Sequence, residues 1–299
     1  MTGPVDLDLS PLVPEGILTM PSFDTPAPAT LNLHLGFVVA NVRIVAGDHD
    51  RTDVDIRPAD ATRKADVKVF EQTKVDFADG EVTVRAPKLT NMFGRSGGID
   101  VDITLPAGSR LSGESGMGPL VVEGELGECR FKNGYGEMRV QRAGTVYLRS
   151  GSGDIVIDDC DGGEIVASNG SIRIRHLGGA CTVKNSNGTT WIGHAEGDLR
   201  VNAANGGIVT ERADAGVTAK TANGSIHVGR VAAGEVSLET SSGGLELGIA
   251  EGVAAWLDLH TTTGRVRSEL EQAEAPAEPA STVQVRARTT VGDIVVRRA

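Results

Sequence analysis

The strongest constraint on the fold of this chain is a glycine that recurs at nearly even intervals over most of its length. Successive copies lie 17 to 19 residues apart as far as Gly243, and the last two intervals are 21 and 28 residues. A fixed period of this size is typical of solenoids, in which each repeat stacks on its neighbours. The anchor glycines are Gly118, Gly136, Gly153, Gly170, Gly188, Gly206, Gly224, Gly243, Gly264 and Gly292.

Each repeat contains two short stretches of alternating apolar and variable residues. After Gly170, for example, the apolar residues Ile172 and Ile174 flank the charged Arg173. A second alternating stretch, with Cys181 and Val183, precedes the next anchor glycine. Since side chains alternate across a strand, the apolar positions are expected to point inward and the variable positions outward.

We therefore predict an all-β fold, a single β-solenoid that resembles a parallel β-helix and has two short strands in each rung of about 18 residues. A unit this small cannot bury its own apolar face, so the rungs must stack around a thin aliphatic core. Ten rungs at the ~4.8 Å strand spacing would give a rod about 48 Å long. The content of 39 glycines and only 3% aromatic residues agrees with many short strands and turns.

The sequence divides into three regions. Residues 1–29 are rich in proline and are predicted to form a flexible arm. Residues 30–110 contain alternating stretches that predict a cap of antiparallel-type β-strands, whereas 62–71 fits a helical turn or a strand equally well. Residues 111–299 carry the repeats, with a loop excursion expected at 269–280, where alanine, glutamate and proline replace the alternation. The stretches predicted as strands in the cap are 31–35, 41–45, 53–57, 74–77, 81–85 and 99–105.

Several stretches resemble one known family. The Asn-Gly turns and the strands around them at 184–188, 198–206 and 219–224, and the final stretch 291–299, are similar to a bacterial family of β-strand-repeat proteins labelled "putative adhesin". Segments 20–26 and 41–48 resemble it too, so that the resemblance extends over nearly all of the chain after residue 20. It implies a β-repeat fold and a domain of unknown function.

Charge and hydropathy narrow the classes of function. The chain has 29 basic and 40 acidic residues, a net charge of −11, which disfavours non-specific nucleic-acid binding. No apolar run approaches the roughly 18–20 residues of a membrane span. The first 20 residues lack a basic residue and a long apolar core, so we expect no signal peptide and a cytoplasmic location.

Cys129, Cys160 and Cys181 form no disulfide framework and fall at inward positions, as small core residues would.

Two columns of polar residues are expected at the corners of the solenoid. Asn169, Asn187, Asn205 and Asn223 hold the same place in four successive rungs, where stacked amides would form a hydrogen-bonded structural ladder or adopt the left-handed conformation of a tight turn. Asp159, His176 and His194 should share a second column. Because the next rungs supply Arg212 and Arg230 at that position, we predict a solvated corner and no metal site.

A basic stripe is the clearest candidate for a binding surface. One outward column contains several cations, and Arg200 lies on the same face; Trp191 and Tyr147 are also expected to point outward. Such a stripe could contact an unknown partner protein or an anionic polymer, or could simply keep the surface soluble. The candidate binding residues are Lys132, Arg149, Lys184, Arg200, Lys220 and Trp191.

Signals of catalysis are absent from the sequence. There is no cluster of outward carboxylates, no phosphate loop and no nucleophile elbow, and we expect neither enzymatic activity nor a cofactor.

The predicted function is a non-catalytic scaffold or binding module, monomeric or weakly self-associating. The alternatives are a filament assembled through the solenoid ends and a β-helix that binds a carbohydrate or another ligand. Arg297 and Arg298, after the last strand, are expected to block stacking at the C-terminal end.

Overall fold

The computed structural model describes residues 21–25, 28–88, 97–270 and 282–299. It confirms the predicted fold class, because these residues form an all-β solenoid in which most neighbouring strands pair in parallel. The first elements along the chain are β1 (Ser22–Phe23), β2 (Thr30–Gly47), β3 (Thr52–Pro58), α1 (Lys64–Gln72), β4 (Lys74–Ala78), β5 (Glu81–Arg85), β6 (Gly98–Pro106) and β7 (Ser109–Met117). All six stretches predicted as strands in this region are strands, and the undecided stretch is the helix α1.

The repeats form the remaining strands. Three long strands turn a corner of the solenoid without a break, and the later rungs are each divided into two shorter strands. They are β8 (Leu120–Tyr135), β9 (Met138–Ser152), β10 (Ile155–Asn169), β11 (Ile172–Leu177), β12 (Cys181–Asn187), β13 (Thr190–Ala195), β14 (Leu199–Asn205), β15 (Ile208–Ala213), β16 (Val217–Asn223), β17 (Ile226–Val231), β18 (Gly234–Ser242), β19 (Leu245–Ile249), β20 (Ala254–Thr263), β21 (Val266–Ser268), β22 (Thr282–Val291) and β23 (Ile294–Arg298).

The rungs build two long faces. Face A consists of the strand segments that follow the anchor glycines, namely the first parts of β8, β9 and β10, and then β11, β13, β15, β17, β19, β23 and β21. Face B consists of the segments that precede the next glycine, namely the second parts of β8, β9 and β10, and then β12, β14, β16, β18, β22 and β20. The core lies between the two faces.

The anchor glycines make the tight corner from face B to face A. All ten have φ between +115° and +154°, a conformation that other residues rarely adopt. The space is also closed, since a Cβ placed on Gly188 would lie 2.2 Å from the carbonyl oxygen of Gly170 in the rung below. The period of the sequence is therefore the period of a turn that only glycine can make.

The predicted register is correct in the middle of the rod. Ile172, Ile174 and Val183 are buried, and Arg173 between the first two is exposed. Cys129, Cys160 and Cys181 are buried free thiols, as predicted. Burial raises the pKa of each to about 12, so none has the thiolate character of a reactive cysteine.

The N-terminal region closes one end of the rod. Its outermost strands are antiparallel, since β3 pairs with β6, β1 pairs with β3, and β4 pairs with β5. In contrast, β2 pairs in parallel with β5 and β6 on one side and with β7 and β8 on the other. The parallel stack therefore starts at β2, earlier than the boundary at residue 111 that the glycine period suggests.

The predicted flexible arm at residues 1–29 lies partly in the described structure. Residues 1–20, 26 and 27 are outside the described residues. Ser22 and Phe23 form β1, and the buried hydroxyls of Thr25 and Thr52 are 2.9 Å apart. Residues 21–25 are thus part of the folded end, because they complete the edge of β3.

The last two rungs do not stack in sequence order. The final strands β22 and β23 pair with β18 and β19 on one side and with β20 and β21 on the other. Among the described strands, the rung at the end of the rod is therefore β20–β21, and the prediction that Arg297 and Arg298 block that end is wrong. Arg297 instead pairs with Glu246 at 2.8 Å, and Arg298 donates to the carbonyl oxygens of Ala250 and Val253.

The end rung is less buried than the others. Val266, at the position equivalent to Ile172, is 46% exposed, so its predicted inward position has no apolar neighbour on one side within the described residues. The predicted loop excursion at 269–280 lies almost entirely outside the described residues, which end at Leu270 and resume at Thr282.

Candidate functional site

The outward side chains of face B form two adjacent columns along the rod. The strand register places Lys132, Arg149, Lys184 and Lys220 in one column, as the sequence predicts. Two residues earlier in each rung, the second column contains Arg130, Tyr147, Glu164, Thr182, Arg200, Thr218 and Ser237. Trp191 lies on face A, beside Arg173, so the structure separates it from the other candidate residues.

Carboxylates neutralise part of the basic stripe. Glu164 accepts a hydrogen bond from Lys184 at 2.8 Å and lies 3.5 Å from Arg149. These two cations, Lys184 first, hold the pKa of Glu164 below its ordinary value. Lys220 is paired in the same way with Glu239, at 2.7 Å. The stripe is therefore a row of ion pairs over much of its length, and its free positive charge is small.

Two cations of the stripe have no such partner. Among the residues that the structure describes, neither Lys132 nor Arg200 makes an ion pair, although both are exposed. An exposed guanidinium without a carboxylate retains its full capacity for bidentate hydrogen bonds. Arg200 is thus the clearest anion-binding group of face B.

Two surface grooves lie on face B and meet at β10. The first has a volume of about 470 Å³, and its lining includes Glu114, Lys132, Tyr147 and Glu164. In it, the guanidinium carbon of Arg130 lies 3.9 Å from the centre of the Tyr147 ring. This cation–π contact, together with a 2.9 Å ion pair to Glu128, holds Arg130 across the aromatic ring.

The second groove is larger, about 760 Å³, and is lined mainly by small polar groups. Hydroxyls of Thr182, Thr218 and Ser237 stand in the same column as Arg200, and Lys220 lies beside them. The wall is completed by Gly163, Ala180, Cys181, Asp198, Leu199, Gly216, Gly234 and Glu235. Hydroxyl groups, backbone groups and one free guanidinium make a surface suited to binding polar or anionic groups.

The sequence interpretation missed Glu164 and the hydroxyl row. Each of these residues lies two positions before a residue that is in register with the basic column, as Thr182 precedes Lys184 and Thr218 precedes Lys220. The same period that located the cations would have located them, had both outward columns of face B been considered together. The neutralising role of Glu164 depends on side-chain geometry, which the period does not contain.

The asparagines form a hydrogen-bonded ladder at the corner before the anchor glycines. The side-chain amide of Asn187 donates to Asn169 at 3.1 Å, Asn205 donates to Asn187 at 3.0 Å, and Asn223 donates to Asn205 at 2.9 Å. Among the described residues other than glycine, only Asp79 has a positive φ, so the left-handed alternative for these asparagines is wrong. The following glycine makes the turn, and the amides link successive rungs.

Comparison with known families finds one sequence model that covers most of the chain. The sequence model of the family described as Toastrack DUF4097 matches residues 32–297. No curated protein matches the sequence of the chain. No helix in the described part of the chain is long and apolar enough to cross a bilayer.

Three of the solved structures similar to this one are the following, each from a bacterium. One, described as a "putative adhesin" from Parabacteroides merdae, is 12% identical with a TM-score of 0.47, covering 78% of this chain and 97% of its own. A "putative adhesin" from Bacteroides fragilis is 11% identical with a TM-score of 0.34, covering 95% and 98%. A structure described as a "putative lipid binding protein" from Parabacteroides distasonis is 9% identical with a TM-score of 0.37, covering 92% and 95%.

Proposed function

We propose that this chain, which belongs to the Toastrack DUF4097 family, is a non-catalytic β-solenoid scaffold that docks an acidic, extended segment of a partner protein along face B. The observation that carries the proposal is the unpaired guanidinium of Arg200 in a groove lined by hydroxyls. The neighbouring cations Lys184 and Lys220 are held in ion pairs, so Arg200 is the group most available to an incoming carboxylate.

The dimensions of the second groove suit an extended polypeptide. It extends over five successive strands, from Gly163 in β10 to Ser237 in β18, which corresponds to about 19 Å at the ~4.8 Å strand spacing. An extended chain rises about 3.3 Å per residue, so the groove would hold about six residues. The hydroxyls and backbone groups of the groove offer donors and acceptors to the backbone of such a segment, and Arg200 offers a bidentate site for an acidic side chain.

The chemistry of face B favours docking over catalysis. The cysteines are buried with raised pKa values. Glu164 in the first groove is held in ion pairs with Lys184 and Arg149, and Asp198 in the second groove accepts a hydrogen bond from the backbone N–H of Gly216. Groups held in this way lack the free acid–base capacity that a hydrolytic site uses. The filament alternative is weakened by the unlike ends of the rod, since antiparallel strands and α1 cover the N-terminal end.

The proposal is tested with a fluorescein-labelled peptide of twelve residues in which glutamate alternates with glycine. Fluorescence anisotropy at low salt should show weak binding to the full chain. Replacing Lys184, Arg200 and Lys220 together by serine should weaken binding about tenfold, because each exposed contact adds a modest, salt-screened increment. The matched control is a triple serine variant of Arg139, Arg173 and Arg267, which changes net charge equally on face A and should leave binding unchanged.

Three outcomes would count against the proposal. Equal losses in the two triple variants would mean that binding reflects net charge and not face B. Unchanged binding in the face B variant would exclude the groove. Binding of a sulfated polysaccharide without binding of the peptide would overturn the assignment to a protein partner.

A further inference from the structure

The corner where face A turns into face B holds a cluster of histidines and carboxylates. Asp159 pairs in register with His176, and His176 pairs with His194. Parallel strands in register bring equivalent residues about 4.8 Å apart, so the two imidazoles belong to neighbouring rungs and face each other. The centres of their rings are 5.4 Å apart.

A third potential ligand comes from the turn after β13. The carboxylate of Glu196 reaches back to the rung below, where its Oε1 lies 3.2 Å from Nε2 of His176. One ligand atom from each of His176, His194 and Glu196 lies within 4.8 Å of the other two. Two imidazoles and one carboxylate converging on a point are a donor set typical of zinc in proteins.

Both histidines are oriented by further carboxylates. Asp159 Oδ2 lies 3.3 Å from Nδ1 of His176, and Asp214 Oδ2 lies 2.7 Å from Nε2 of His194. Asp214 is itself held by Arg212, whose guanidinium donates to both of its oxygens at 2.9 and 3.1 Å. Such outer partners fix the tautomer and the direction of metal-binding imidazoles.

We propose that His176, His194 and Glu196 bind a divalent transition-metal ion, with Zn²⁺ as the best match to two nitrogen ligands and one oxygen ligand. In this arrangement His176 offers Nε2 and His194 offers Nδ1, because their other nitrogens face Asp159 and Asp214. The side chains of His176 and His194 are 32% and 28% exposed, so solvent reaches the site. A fourth coordination position is therefore open to water or to a ligand from a binding partner.

The structure removes the objection that the sequence raises against this site. Arg212 follows His194 in the column and would repel a cation if its charge were free. Its guanidinium is bound to Asp214, so the local charge is compensated. The remaining acidic groups beside the two imidazoles, Asp159 and Glu196, favour a cation at this corner.

The chain offers a matched control in His227. This histidine also lies on an outward column and is paired with a carboxylate, Glu246, at 3.1 Å. Its register partners are Val209 and Glu246, so no second imidazole stands beside it. A metal that needed only one histidine and one carboxylate would bind both places.

The experiment uses the full chain without a histidine tag. Titration calorimetry with ZnCl₂ should give one ion per chain, and Co²⁺ should produce the visible absorption of a site with imidazole ligands. His176→Ala and His194→Ala should each weaken Zn²⁺ binding at least about a hundredfold, and Glu196→Gln and Asp214→Asn should each weaken it about tenfold. His227→Ala should bind as the natural chain does.

A second readout separates binding from folding. Because a ligand that binds only the folded state raises its stability, Zn²⁺ should raise the melting temperature of the natural chain and of His227→Ala, and should leave that of the double variant His176→Ala/His194→Ala unchanged. Circular dichroism shows whether the double variant is folded. The proposal is overturned if the natural chain takes up no Zn²⁺ at millimolar concentration, or if the folded double variant binds Zn²⁺ equally well.

Discussion

The two ends of the rod differ in how the last rung of the parallel stack is covered. A stack of parallel strands leaves unpaired backbone groups and an open core at each end. At the N-terminal end, the antiparallel strands β3 and β4 cover β6 and β5, and α1 buries Val69 against the core. At the C-terminal end, β20–β21 is an ordinary rung, and its Val266 is 46% exposed where the equivalent Ile172 is fully buried. Closing an end requires sequence outside the repeat, and the C-terminal rung has none within the described residues.

The largest expected difference between the middle of the rod and its open end is in the cost of placing a carboxylate at the same inward position of face A. Ile172→Asp should destabilise the chain by about 4 kcal/mol or more, because a carboxylate in the dry core has no partner. Val266→Asp should change the free energy of unfolding by less than about 1 kcal/mol, because the side chain already meets solvent. Urea unfolding followed by circular dichroism measures both. Equal effects would show that the end rung is buried, contrary to the strand order described above.

A smaller change in the free energy of unfolding is expected when one carboxylate is removed at each end of the rod. Asp66 in α1 is fully buried and accepts a hydrogen bond from the backbone N–H of Gly98 at 3.1 Å. Asp66→Ala should therefore cost about 2 kcal/mol, since it leaves that N–H buried and unpaired. Asp258→Ala, at the open end, should cost less, because Asp258 is exposed beside Arg286 and Arg288. The same urea experiment measures both, with Asp66→Asn as the conservative control. A negligible loss for Asp66→Ala would mean that α1 does not hold the closed end together.

The smallest effect concerns the edge strand itself. Amides of β22, which is paired on both sides, should exchange with deuterium about tenfold more slowly than those amides of β20 that point away from β22. A β20 protected as well as β22 would contradict the order of the last two rungs.

The strength with which β20 is held to β22 should depend on pH. Hydrogen bonding to Arg288, with further support from Arg286, lowers the pKa of Asp258. A carboxylate with a lowered folded-state pKa stabilises the fold above its ordinary pKa, and this contribution is lost as the pH falls through the lowered value. We therefore expect the amides of β20 to exchange faster in Asp258→Asn than in the natural chain near neutral pH. The ratio of the two exchange rates should fall towards one in acid. A ratio that stayed constant with pH would exclude this ion pair as a support of the end rung.

The middle of the rod could be predicted from the sequence, because its geometry repeats. The glycine period and the alternation around Ile172 determine the turn, the strand directions and the buried columns. The order of the last rungs could not be predicted in this way, because β20 and β22 carry equivalent apolar positions and fit the same neighbour. Leu257 and Leu259 in β20 match Val285 and Ala287 in β22.

The candidate sites were predictable only in part. The period placed Lys184 and Lys220 in one column, and His176 and His194 in another. Their ion pairs with Glu164 and Glu239, and the approach of Glu196 to His176, depend on side-chain reach across rungs. Long side chains choose among several partners at similar distance, and a strand register does not specify that choice.

The out-of-order rungs also have a consequence for synthesis of the chain on the ribosome. The segment β20–β21 is made before β22–β23, yet among the described strands it pairs only with β22–β23. While the later segment is still missing, β20 can dock on β18 directly, since its apolar positions match those of the proper neighbour. That arrangement would be a kinetic trap, and it must dissociate before the last rung can enter. Growth of this solenoid is therefore not a simple addition of rungs in the order of translation.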